Sequence, residues 1–486
     1  MTPATSSMRP AFRSLLAASA SALLASCSLA PRYERPAAPV APAYPVPPEA
    51  ASNQATPPAA DLAWQQFFGD VRLQHLILLA LENNRDLRVA ALNVERVRAI
   101  YNIQRTALIP SLNATGDGSR QRTPGDLNST GRPITTSSYS VGVEIPSYEI
   151  DFFGRVASLR DQVLQQYLAT DEARLSAQIS LISAVARQYL ALLANDEQLA
   201  LARQTLGAAE RSFELSRQTY EAGVNSELDL RTAEAQRASV RASVTALAQQ
   251  RARAENALAL LIGAPLPADL PPAGSLATEK LIEDLPAGLP ADLLTRRPDV
   301  RAAEHLLQAA NANIGIARAA FFPSVKLTAF GGTASAELAG LFDKGSGMWR
   351  FAPSITLPIF AAGRNKAQLD VAWIEQRIEI ANYEKAIQTA FREVADALAV
   401  RSLIDTQIAA QEDRVTAAQR RYDLTQQRFD AGVDGFLSVL LAQQELFGAQ
   451  QSLIDARLAR LANLISLYAA LGGGWQHTAV LNPATK

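Results

Sequence analysis

The stretch RQTYEAGVNSELDL at residues 217–230 has a near copy, QQRFDAGVDGFLSV, at residues 426–439. Each copy lies inside a long segment rich in Ala, Leu, Gln, Arg and Glu, which are residues that favour helices. Gly223 and Gly432 interrupt the two segments at equivalent places, and glycine readily adopts the left-handed conformation that ends many helices. The two copies therefore predict two helical hairpins with turns near residues 222–227 and 431–436.

The whole chain is an internal duplication. Residues 84–88 (NRDLR) match residues 297–301 (RPDVR), and residues 109–112 (IPSL) match residues 322–325 (FPSV), both at an offset of 213. Gly154-Arg155 and the quoted turn recur at an offset of 209. The offset changes from 213 to 209 between the Pro-Ser landmark and the Gly-Arg landmark, where a loop can vary in length. Each copy is predicted to contain a helix, two strands, a long helix, a turn and another long helix.

The predicted helices around the turns are unusually long. No proline occurs between Ser147 and Ala264 or between Ile359 and Asn482. Because proline breaks helices, such segments predict helices well above the usual ~10–14 residues. The segment from Arg155 to Glu221 alone has 67 residues, or about 100 Å if it is fully helical.

Each long helix carries a packing seam with alternating spacings of three and four residues, which is typical of coiled coils. The first seam is Leu199, Ala202, Leu206, Ala209, Phe213, Ser216 and Tyr220, and the second is Ile408, Gln411, Val415, Ala418, Tyr422, Thr425 and Phe429. The small residues on alternate layers would allow close packing with more than one neighbour. The seams alone are equally compatible with an antiparallel hairpin in a solvent-exposed stalk.

Four segments have the length of transmembrane β-strands, about 9–11 residues. They read SLNATGDGSRQR and YSVGVEIPSYEI within residues 111–151, and SVKLTAFGGTAS and RFAPSITLPIF within residues 324–360. Four strands cannot close a barrel, and an open sheet edge cannot face lipid. Several chains must therefore share one barrel. A dimer would give eight strands, whose side chains fill the lumen, whereas a trimer would give twelve and leave a passage.

The N-terminus resembles a bacterial lipoprotein signal. Arg9 and Arg13 precede an apolar run that is too short to span a bilayer, and the run ends in LASC at residues 24–27. This resemblance predicts a signal peptide at 1–26, acylation of Cys27, and an extended Pro- and Ala-rich tether at 27–62. Ser28 follows the cysteine, which implies sorting to the outer membrane. An ordinary cleavage site with a chance thiol is the alternative, and either Met1 or Met8 could be the start.

Through several motifs that occur in order, the chain resembles TolC/OprM-type outer-membrane efflux channels. Within these it resembles the NodT-like lipoprotein subgroup that works with RND pumps. The resemblance covers about residues 64–475. Its landmarks are YEIDFFGR at 148–155, RRPDVR at 296–301, LPIF at 357–360 before Gly363-Arg364, and LGGGW at 471–475. It implies a first repeat at 63–264, a linker at 265–290, a second repeat at 291–474 and a tail at 475–486.

The resemblance implies an α+β membrane protein. Its fold would be a long helical coiled-coil barrel in the periplasm and a transmembrane β-barrel shared between protomers, each protomer giving four strands. The family is a homotrimer whose helical turns meet a periplasmic adaptor, which links the channel to an inner-membrane RND transporter. The implied adaptor-contacting residues are Gly223, Val224, Asn225, Ser226, Gly432, Val433, Asp434 and Gly435.

The resemblance also implies a gate after the second turn, often an acidic ring nine positions after the glycine. Here that position is Leu441, one helical turn after Leu437. An apolar constriction of this kind could close by dewetting. Alternatively, Leu437 belongs to a packing seam. That seam would comprise Leu437, Leu440, Gln444, Phe447, Gln451 and Ile454.

In the family, a latch between an Asp and a Tyr holds the turns closed. Asp229 keeps the Asp position, but Phe429 stands at the Tyr position and cannot donate a hydrogen bond. Arg428 or Arg231 is then the predicted partner of Asp229. An exposed pair of this type contributes only about 0–1 kcal/mol.

Composition and motifs predict no enzyme. The net charge of −1 offers no general attraction for nucleic acid. His75, His305 and His477 lack the spacing of a metal site, and neither a nucleotide-binding loop nor a nucleophile elbow occurs, so no cofactor is expected. The predicted function is efflux of drugs or other small molecules. A type I protein secretion duct and a structural lipoprotein stalk without a pore are the alternatives, and the sequence names neither substrate nor adaptor.

Overall fold

The computed structural model describes residues 28–45, 58–224, 226–282, 285–286 and 290–475. The signal peptide, Cys27, Asn225, His477 and the tail after Trp475 lie outside the described residues. The α-helices are α1 (Trp64–Phe67), α2 (Val71–Asn83), α3 (Arg85–Thr106), α4 (Arg155–Glu221), α5 (Glu227–Ile262), α6 (Leu293–Arg296), α7 (Pro298–Ala319), α8 (Arg364–Asp430) and α9 (Phe436–Ala470). The strands are β1 (Asn113–Thr123), β2 (Ile134–Ile150), β3 (Ser324–Ser335) and β4 (Gly347–Thr356). Short 3-10 helices occupy Ala59–Asp61, Gly125–Leu127, Pro290–Asp292 and Leu338–Gly340.

The order of elements confirms the predicted duplication. Each copy has a helix, two strands, a long helix, a turn and another long helix. The long helices α4 and α8 have 67 residues each, and their ends are related by the offset of 209. Equal lengths follow because equivalent Gly-Arg steps precede both helices and equivalent glycines follow them.

The four strands form one antiparallel sheet in the order β1-β2-β3-β4. The β1–β2 hairpin is longer than predicted, because pairing continues from Gly118↔Tyr139 out to Thr123↔Ile134. β4 begins earlier than predicted and ends at Thr356, before Leu357 and Pro358. Thr356 pairs with Ser324, the first residue of β3, so the ladder ends where its partner strand begins. Within the described chain, the outer edges of β1 and β4 have no partner strand.

The chain divides into two compact units. The first contains the sheet and comprises residues 1–37, 93–170 and 303–383. The register places large apolar side chains of β4, namely Trp349, Phe351 and Ile355, on one face of the sheet. Arg350 and, across the sheet, Glu144 lie on the opposite face. The sheet therefore has an apolar face and a polar face, as a membrane strand requires.

An extended N-terminal segment also belongs to the first unit. Tyr33 donates a hydrogen bond of 3.0 Å to Glu304 on α7, and Arg35 binds the same carboxylate through two nitrogens at 2.8 and 3.0 Å. The Glu304 side chain is only 8% exposed. Burial, followed by the proximity of Glu304, raises the pKa of Tyr33. Residues 28–45 of the predicted tether lie outside helices and strands, and the first part of this segment is bound to a helix.

The segment runs antiparallel to α7. Arg318 near the end of α7 donates to the Leu29 carbonyl at 3.0 Å, and Asn311, two turns earlier, donates to the Pro31 carbonyl at 2.8 Å. A Cβ atom at Gly315 would lie 2.9 Å from the nitrogen of Ala30. The close approach of the segment to α7 therefore depends on glycine at this position.

The second unit comprises residues 38–92, 171–302 and 384–486 and is mainly helical. Its core includes Trp64, Phe67 and Tyr468, and the rings of Phe67 and Tyr468 stack at 4.1 Å. The predicted seams are borne out in part. Leu199, Ala202, Ala209 and Ser216 are buried on α4 and Ala418 is buried on α8, whereas Tyr220 is 39% exposed. Part of α4 is apolar enough to span a bilayer by length and composition, but that part is 61% buried within the structure, as in a core helix.

The repeated landmark around residues 84 and 297 has a structural role. Asn84 donates to the Leu261 carbonyl at 2.8 Å, at the end of α5. Arg297 donates to the Ala470 carbonyl at 2.9 Å, at the end of α9, and also binds Asp299. The last carbonyl groups of a helix lack hydrogen-bond donors within the helix. In each repeat, the landmark residue supplies such a donor to a carbonyl at the end of the last helix.

Candidate functional site

The two predicted turns are present in the second unit, and the helices before them end in the same way. The amide of Gly223 donates to the Tyr220 carbonyl at 2.9 Å, and the amide of Val224 donates to the Thr219 carbonyl at 2.9 Å. These two bonds form a Schellman motif, in which the residue after the helix is left-handed. Gly223 has a φ of 74°, which explains why glycine stands at this position.

The second turn repeats this helix end atom for atom. The amide of Gly432 donates to the Phe429 carbonyl at 2.8 Å, and the amide of Val433 donates to the Arg428 carbonyl at 2.9 Å. Gly432 also has a φ of 74°. Helices α4 and α8 therefore stop by one shared mechanism.

The helix after the first turn begins with a capping box. The Ser226 hydroxyl accepts a hydrogen bond from the Asp229 amide at 3.2 Å, and the Asp229 carboxylate accepts from the Ser226 amide at 3.3 Å. The Ser226 hydroxyl also donates to this carboxylate at 2.7 Å. These bonds satisfy backbone donors that the first turn of a helix leaves without partners. The role of Asp229 in this structure is thus to start α5.

The helix after the second turn begins without a side-chain cap, because its N-cap residue is Gly435. An ion pair holds the loop instead. Arg428 on α8 donates to both carboxylate oxygens of Asp434 at 2.7 and 2.9 Å. The hydrogen bond from Arg428 lowers the pKa of Asp434. The bidentate geometry ties the end of α8 to the residue before the helix restart.

The predicted substitute latch is wrong for this structure. Arg428 binds Asp434, and Arg231 binds Glu227 and Glu234 on its own helix. Neither arginine pairs with Asp229, because each has a carboxylate close by in its own turn or helix. Side chains three and four residues apart on a helix are neighbours, which favours the local partners of Arg231.

Phe429 serves in packing. Its ring lies 5.8 Å from the ring of Phe436, across the second turn. Both belong to an apolar cluster with Ala233 and Leu440, so the cluster joins the beginnings of α5 and α9. The two turns also line one cleft of about 510 Å³, to which Val224, Asp229, Phe429, Gly432, Asp434 and Gly435 contribute.

The two leucines predicted to form the gate are exposed. Leu437 and Leu441 are 55% and 49% exposed and lie one turn apart on α9. The buried face of α9 here comprises Phe436, Val439, Leu440, Ala442 and Leu446. The alternative packing seam through Leu437 is therefore wrong within this chain. The core positions of α9 are set by contacts with α5 and α8, which the pattern of α9 alone does not specify.

Sequence reasoning missed Leu228 at the start of α5, which is 74% exposed. It precedes Leu437 by the same offset of 209 that relates the two turns. Beside it, Val224 is 75% exposed, and Val433 is exposed in the second turn. The internal repeat was the signal that could have identified Leu228. Both turns thus present an apolar side chain in the loop and another on the following helix.

Comparisons with known proteins identify the family. The family model described as "Outer membrane efflux protein" matches residues 76–264 and 289–473. The toluene efflux pump outer membrane protein TtgC of Pseudomonas putida is 47% identical over 465 residues, which cover 95% of this chain and 96% of that protein.

Solved structures of similar proteins lead to the same family. A membrane protein from Pseudomonas aeruginosa is 43% identical, with a TM-score of 0.86 over 92% of this chain and 100% of the other. The open state of the MtrE outer membrane channel of Neisseria gonorrhoeae is also 43% identical, with a TM-score of 0.84 over 93% of this chain and 99% of the other. The α+β fold predicted from the sequence, with a helical part and four strands of a shared barrel, is that of these channels. The chain therefore belongs to the outer membrane efflux protein family.

Proposed function

We propose that this chain forms, as a homotrimer, the outer-membrane channel of a tripartite efflux pump. The observation that carries the trimer is the open sheet, whose edge strands β1 and β4 have 11 and 10 residues. An edge cannot face lipid, so β4 of one copy pairs with β1 of the next. Three copies give twelve strands and a lumen, whereas two would give a barrel filled by side chains.

The turns dock the partners. Val224, Leu228 and Val433 present apolar surface around a cleft, as expected for a surface that receives another helical protein. We assign the cleft and the surrounding turns to a periplasmic adaptor, which connects the channel to an inner-membrane RND transporter. The name of TtgC indicates toluene as a substrate of that relative, and this chain is proposed to conduct drugs, solvents or similar small molecules.

Leu437 and Leu441 are the proposed gate. In a trimer with these side chains towards the axis, three copies would surround the pore with apolar groups. A narrow apolar ring excludes water and ions until it widens. The exposure of both leucines in the single chain supports this role, because neither is needed for packing within the protomer.

Cys27 is the proposed lipid anchor, and the bound N-terminal segment supports this role. Leu29 lies beside Arg318, and β3 begins at Ser324 after α7 ends at Ala319. The described segment that follows Cys27 in the chain therefore reaches the end of α7 from which the chain enters the sheet. Acyl chains on Cys27 would then enter the inner leaflet beside the barrel.

Single-channel recording in planar bilayers tests the pore. Purified full-length protein should give discrete conductance steps, and chemical crosslinking in detergent should stop at three chains. A stalk without a pore would give no steps. A dominant dimer would contradict the shared twelve-stranded barrel. Export of toluene by cells that lack their own outer-membrane channel separates efflux from the alternative of protein secretion, which would instead require a secreted polypeptide as cargo.

Mass spectrometry tests the anchor. The mature N-terminal peptide should begin at Cys27 and carry acyl chains. Cys27→Ala should abolish acylation but leave much of the protein in the membrane, because a closed barrel holds far more strongly than acyl chains alone. An unmodified Cys27 in the mature protein would contradict the proposed anchor.

A further inference from the structure

The apolar face of the sheet ends in a basic patch. Register assigns to this face Ala114, Gly116, Gly118, Arg120 and Arg122 of β1 and, opposite them, Val143, Val141, Tyr139, Ser137 and Thr135 of β2. The same face continues through Val325, Leu327, Ala329, Gly331, Thr333 and Ser335 of β3 and through Ile355, Pro353, Phe351, Trp349 and Gly347 of β4. All four strands lie within the described residues, and Arg120 and Arg122 are the charged residues among these positions. They occur together at one end of the face.

The height of these arginines can be estimated from the register. From Val325 to Ser335 the apolar face spans ten residues, which at a rise of about 3.4 Å and a tilt of about 40° is about 26 Å along the membrane normal. This equals the usual height of the apolar band of an outer-membrane barrel. Tyr139 pairs with Ser335 at the end of this band and supplies the aromatic residue typical of a membrane interface.

Arg120 and Arg122 lie just beyond the band. Tyr139 pairs with Gly118, so the two arginines follow by two and four residues along β1, or about 5 and 10 Å along the normal. Helix α3 precedes β1 and helix α4 follows β2, so the loop between β1 and β2 lies at the opposite end of these strands. If the helices are periplasmic, the end with this loop is the external end. Both arginines are therefore at the depth of the headgroups of the outer leaflet.

The arginine side chains have no ionic partner within the described part of the chain. Both are exposed, and neither makes an ion pair or a side-chain hydrogen bond there. The carboxylate of Asp117 lies on the opposite face of β1. Arg132, in the adjoining loop, is a third exposed cation. A guanidinium group binds phosphate through two parallel hydrogen bonds, so two arginines on one face suit a phosphorylated ligand.

We propose that Arg120 and Arg122 form a binding site for the phosphate groups of the glycolipid in the outer leaflet of the outer membrane. Each protomer would supply one site on the lipid-facing side of the barrel. Position and charge identify the ligand. At this depth, on the lipid-facing side of the barrel, the phosphate groups that are permanently present belong to lipid headgroups. Such a site would surround the barrel with bound glycolipid and help to fix its depth. The proposal requires the barrel to lie in the membrane but does not depend on the identity of the exported substrates.

Native mass spectrometry of the detergent-solubilised full-length protein tests the site, with bisphosphorylated lipid A as the probe. The wild type should bind lipid A. Arg120→Gln combined with Arg122→Gln should weaken binding by more than about tenfold, since each basic residue near an anionic lipid surface contributes several-fold to binding. Arg120→Lys combined with Arg122→Lys should bind more tightly than the double glutamine variant but less tightly than the wild type, because the charge remains while the paired hydrogen bonds of the guanidinium group are lost.

Arg350→Gln is the matched control. It removes the same charge from the same sheet but on the opposite face, so it should leave lipid A binding unchanged while altering ion conductance. Lipid A with both phosphates removed should bind the wild type more than about tenfold more weakly, and millimolar inorganic phosphate should not displace bound lipid A. Equal binding by the double glutamine variant, equal binding of the dephosphorylated lipid, or complete displacement by free phosphate would overturn the proposal.

Conductance and trimer yield on the same preparations separate this proposal from the channel itself. The double glutamine variant should give normal trimers with normal conductance. If it instead loses trimers, Arg122→Gln alone is compared with Asp343→Asn, which removes an exposed carboxylate from the loop between β3 and β4. Loss of trimers in both would assign the arginines to an ion pair with the β3–β4 loop of a neighbouring copy and overturn the glycolipid site. Normal trimers with weakened lipid A binding in Arg122→Gln would support it.

Discussion

The two helical turns end their first helix identically and begin their second helix differently. Gly223 and Gly432 have the same φ and the same pair of hydrogen bonds. After them, the first turn starts α5 with the Ser226 capping box, whereas the second relies on the ion pair between Arg428 and Asp434. The Ser226 hydroxyl carries no charge, so its hydrogen bond to the backbone is insensitive to salt. An exposed ion pair is weakened by salt and by acid. The two repeats therefore share the backbone geometry that ends the first helix, but they differ in the interaction that stabilises the loop and the start of the second helix.

The shared helix end should be the most sensitive feature. Gly432→Val forces a β-branched residue into the left-handed region, at a cost of about 1–2 kcal/mol, or changes the turn. Either outcome moves Val433 and Asp434, so we expect normal trimers with loss of export and of crosslinking to the adaptor. Gly223→Val should act in the same way, because its φ is the same.

Gly435→Val is the matched control for this prediction. Gly435 lies in the same loop, but its φ of −76° and ψ of 157° are ordinary for valine. A Cβ there would meet no atom within 4 Å. Export should therefore fall less than in Gly432→Val, because only added bulk at the docking surface remains as a cause. Equal loss of export in both variants would show that contact with added bulk, rather than backbone strain, is responsible.

Two exposed leucines, one after each turn, should differ in function. Leu441→Asp would place three carboxylates in the pore of a trimer, so conductance should become more selective for cations and more dependent on salt. Leu228→Asp adds the same charge at an exposed position after the first turn and should leave selectivity unchanged. Planar-bilayer recordings of both variants give the comparison.

Reduced trimer yield in Leu441→Asp would indicate that the side chain packs against a neighbouring protomer, where a buried charge is costly. A shift towards cation selectivity in Leu228→Asp would instead assign the constriction to both turns. Normal trimers with unchanged selectivity in Leu441→Asp would remove Leu441 from the gate.

The cap of the first turn is expected to have a smaller effect. Ser226→Ala removes the N-cap acceptor and should destabilise the start of α5 by about 1 kcal/mol. Hydrogen exchange of the Asp229 and Leu230 amides should then be roughly fivefold faster, since about 1.4 kcal/mol corresponds to tenfold. Gly435→Ser should act in the opposite direction at the second turn, by only a few tenths of a kcal/mol. Unchanged exchange in Ser226→Ala would contradict a stabilising role of the capping box.

The ion pair of the second turn should have the smallest effect and the clearest dependence on pH. Because the pKa of Asp434 is lowered in the folded protein, the pair contributes at pH values above the ordinary pKa of an aspartate, and its contribution is lost as the pH falls through the lowered value. A spin label at Val433→Cys should therefore become more mobile at high salt and at pH values well below the ordinary aspartate pKa of about 4.

Arg428→Gln should make the same label mobile already at neutral pH, with no further change on acidification. Unchanged mobility of the Val433→Cys label both at high salt and in Arg428→Gln would contradict the role assigned to Arg428 and Asp434. A label at Val224→Cys reports on the first turn, where Ser226 supplies the cap, and it should respond less to salt.

Much of this architecture was determined by the sequence itself. The turns at Gly223 and Gly432, the 67 residues of α4 and the complete span of β3 follow from local rules, namely helix propensity, the absence of proline, and the backbone freedom of glycine. These rules act between residues that are close in the chain, so a single sequence is sufficient to read them. The internal repeat reinforced them, because each element occurs twice.

Tertiary structure decided the features that depend on distant partners. For Arg428, the distant partner that the resemblance implied, Asp229, is not the one that it binds, because the left-handed reversal brings Asp434 of the same turn against it. The buried face of α9 was fixed by its contacts with α5 and α8, which left Leu437 exposed. Glu304 became buried because residues from the N-terminal segment, about 270 positions away, satisfy its charge. Pairing between groups so far apart in the chain depends on packing, and packing is not encoded in the order of nearby residues.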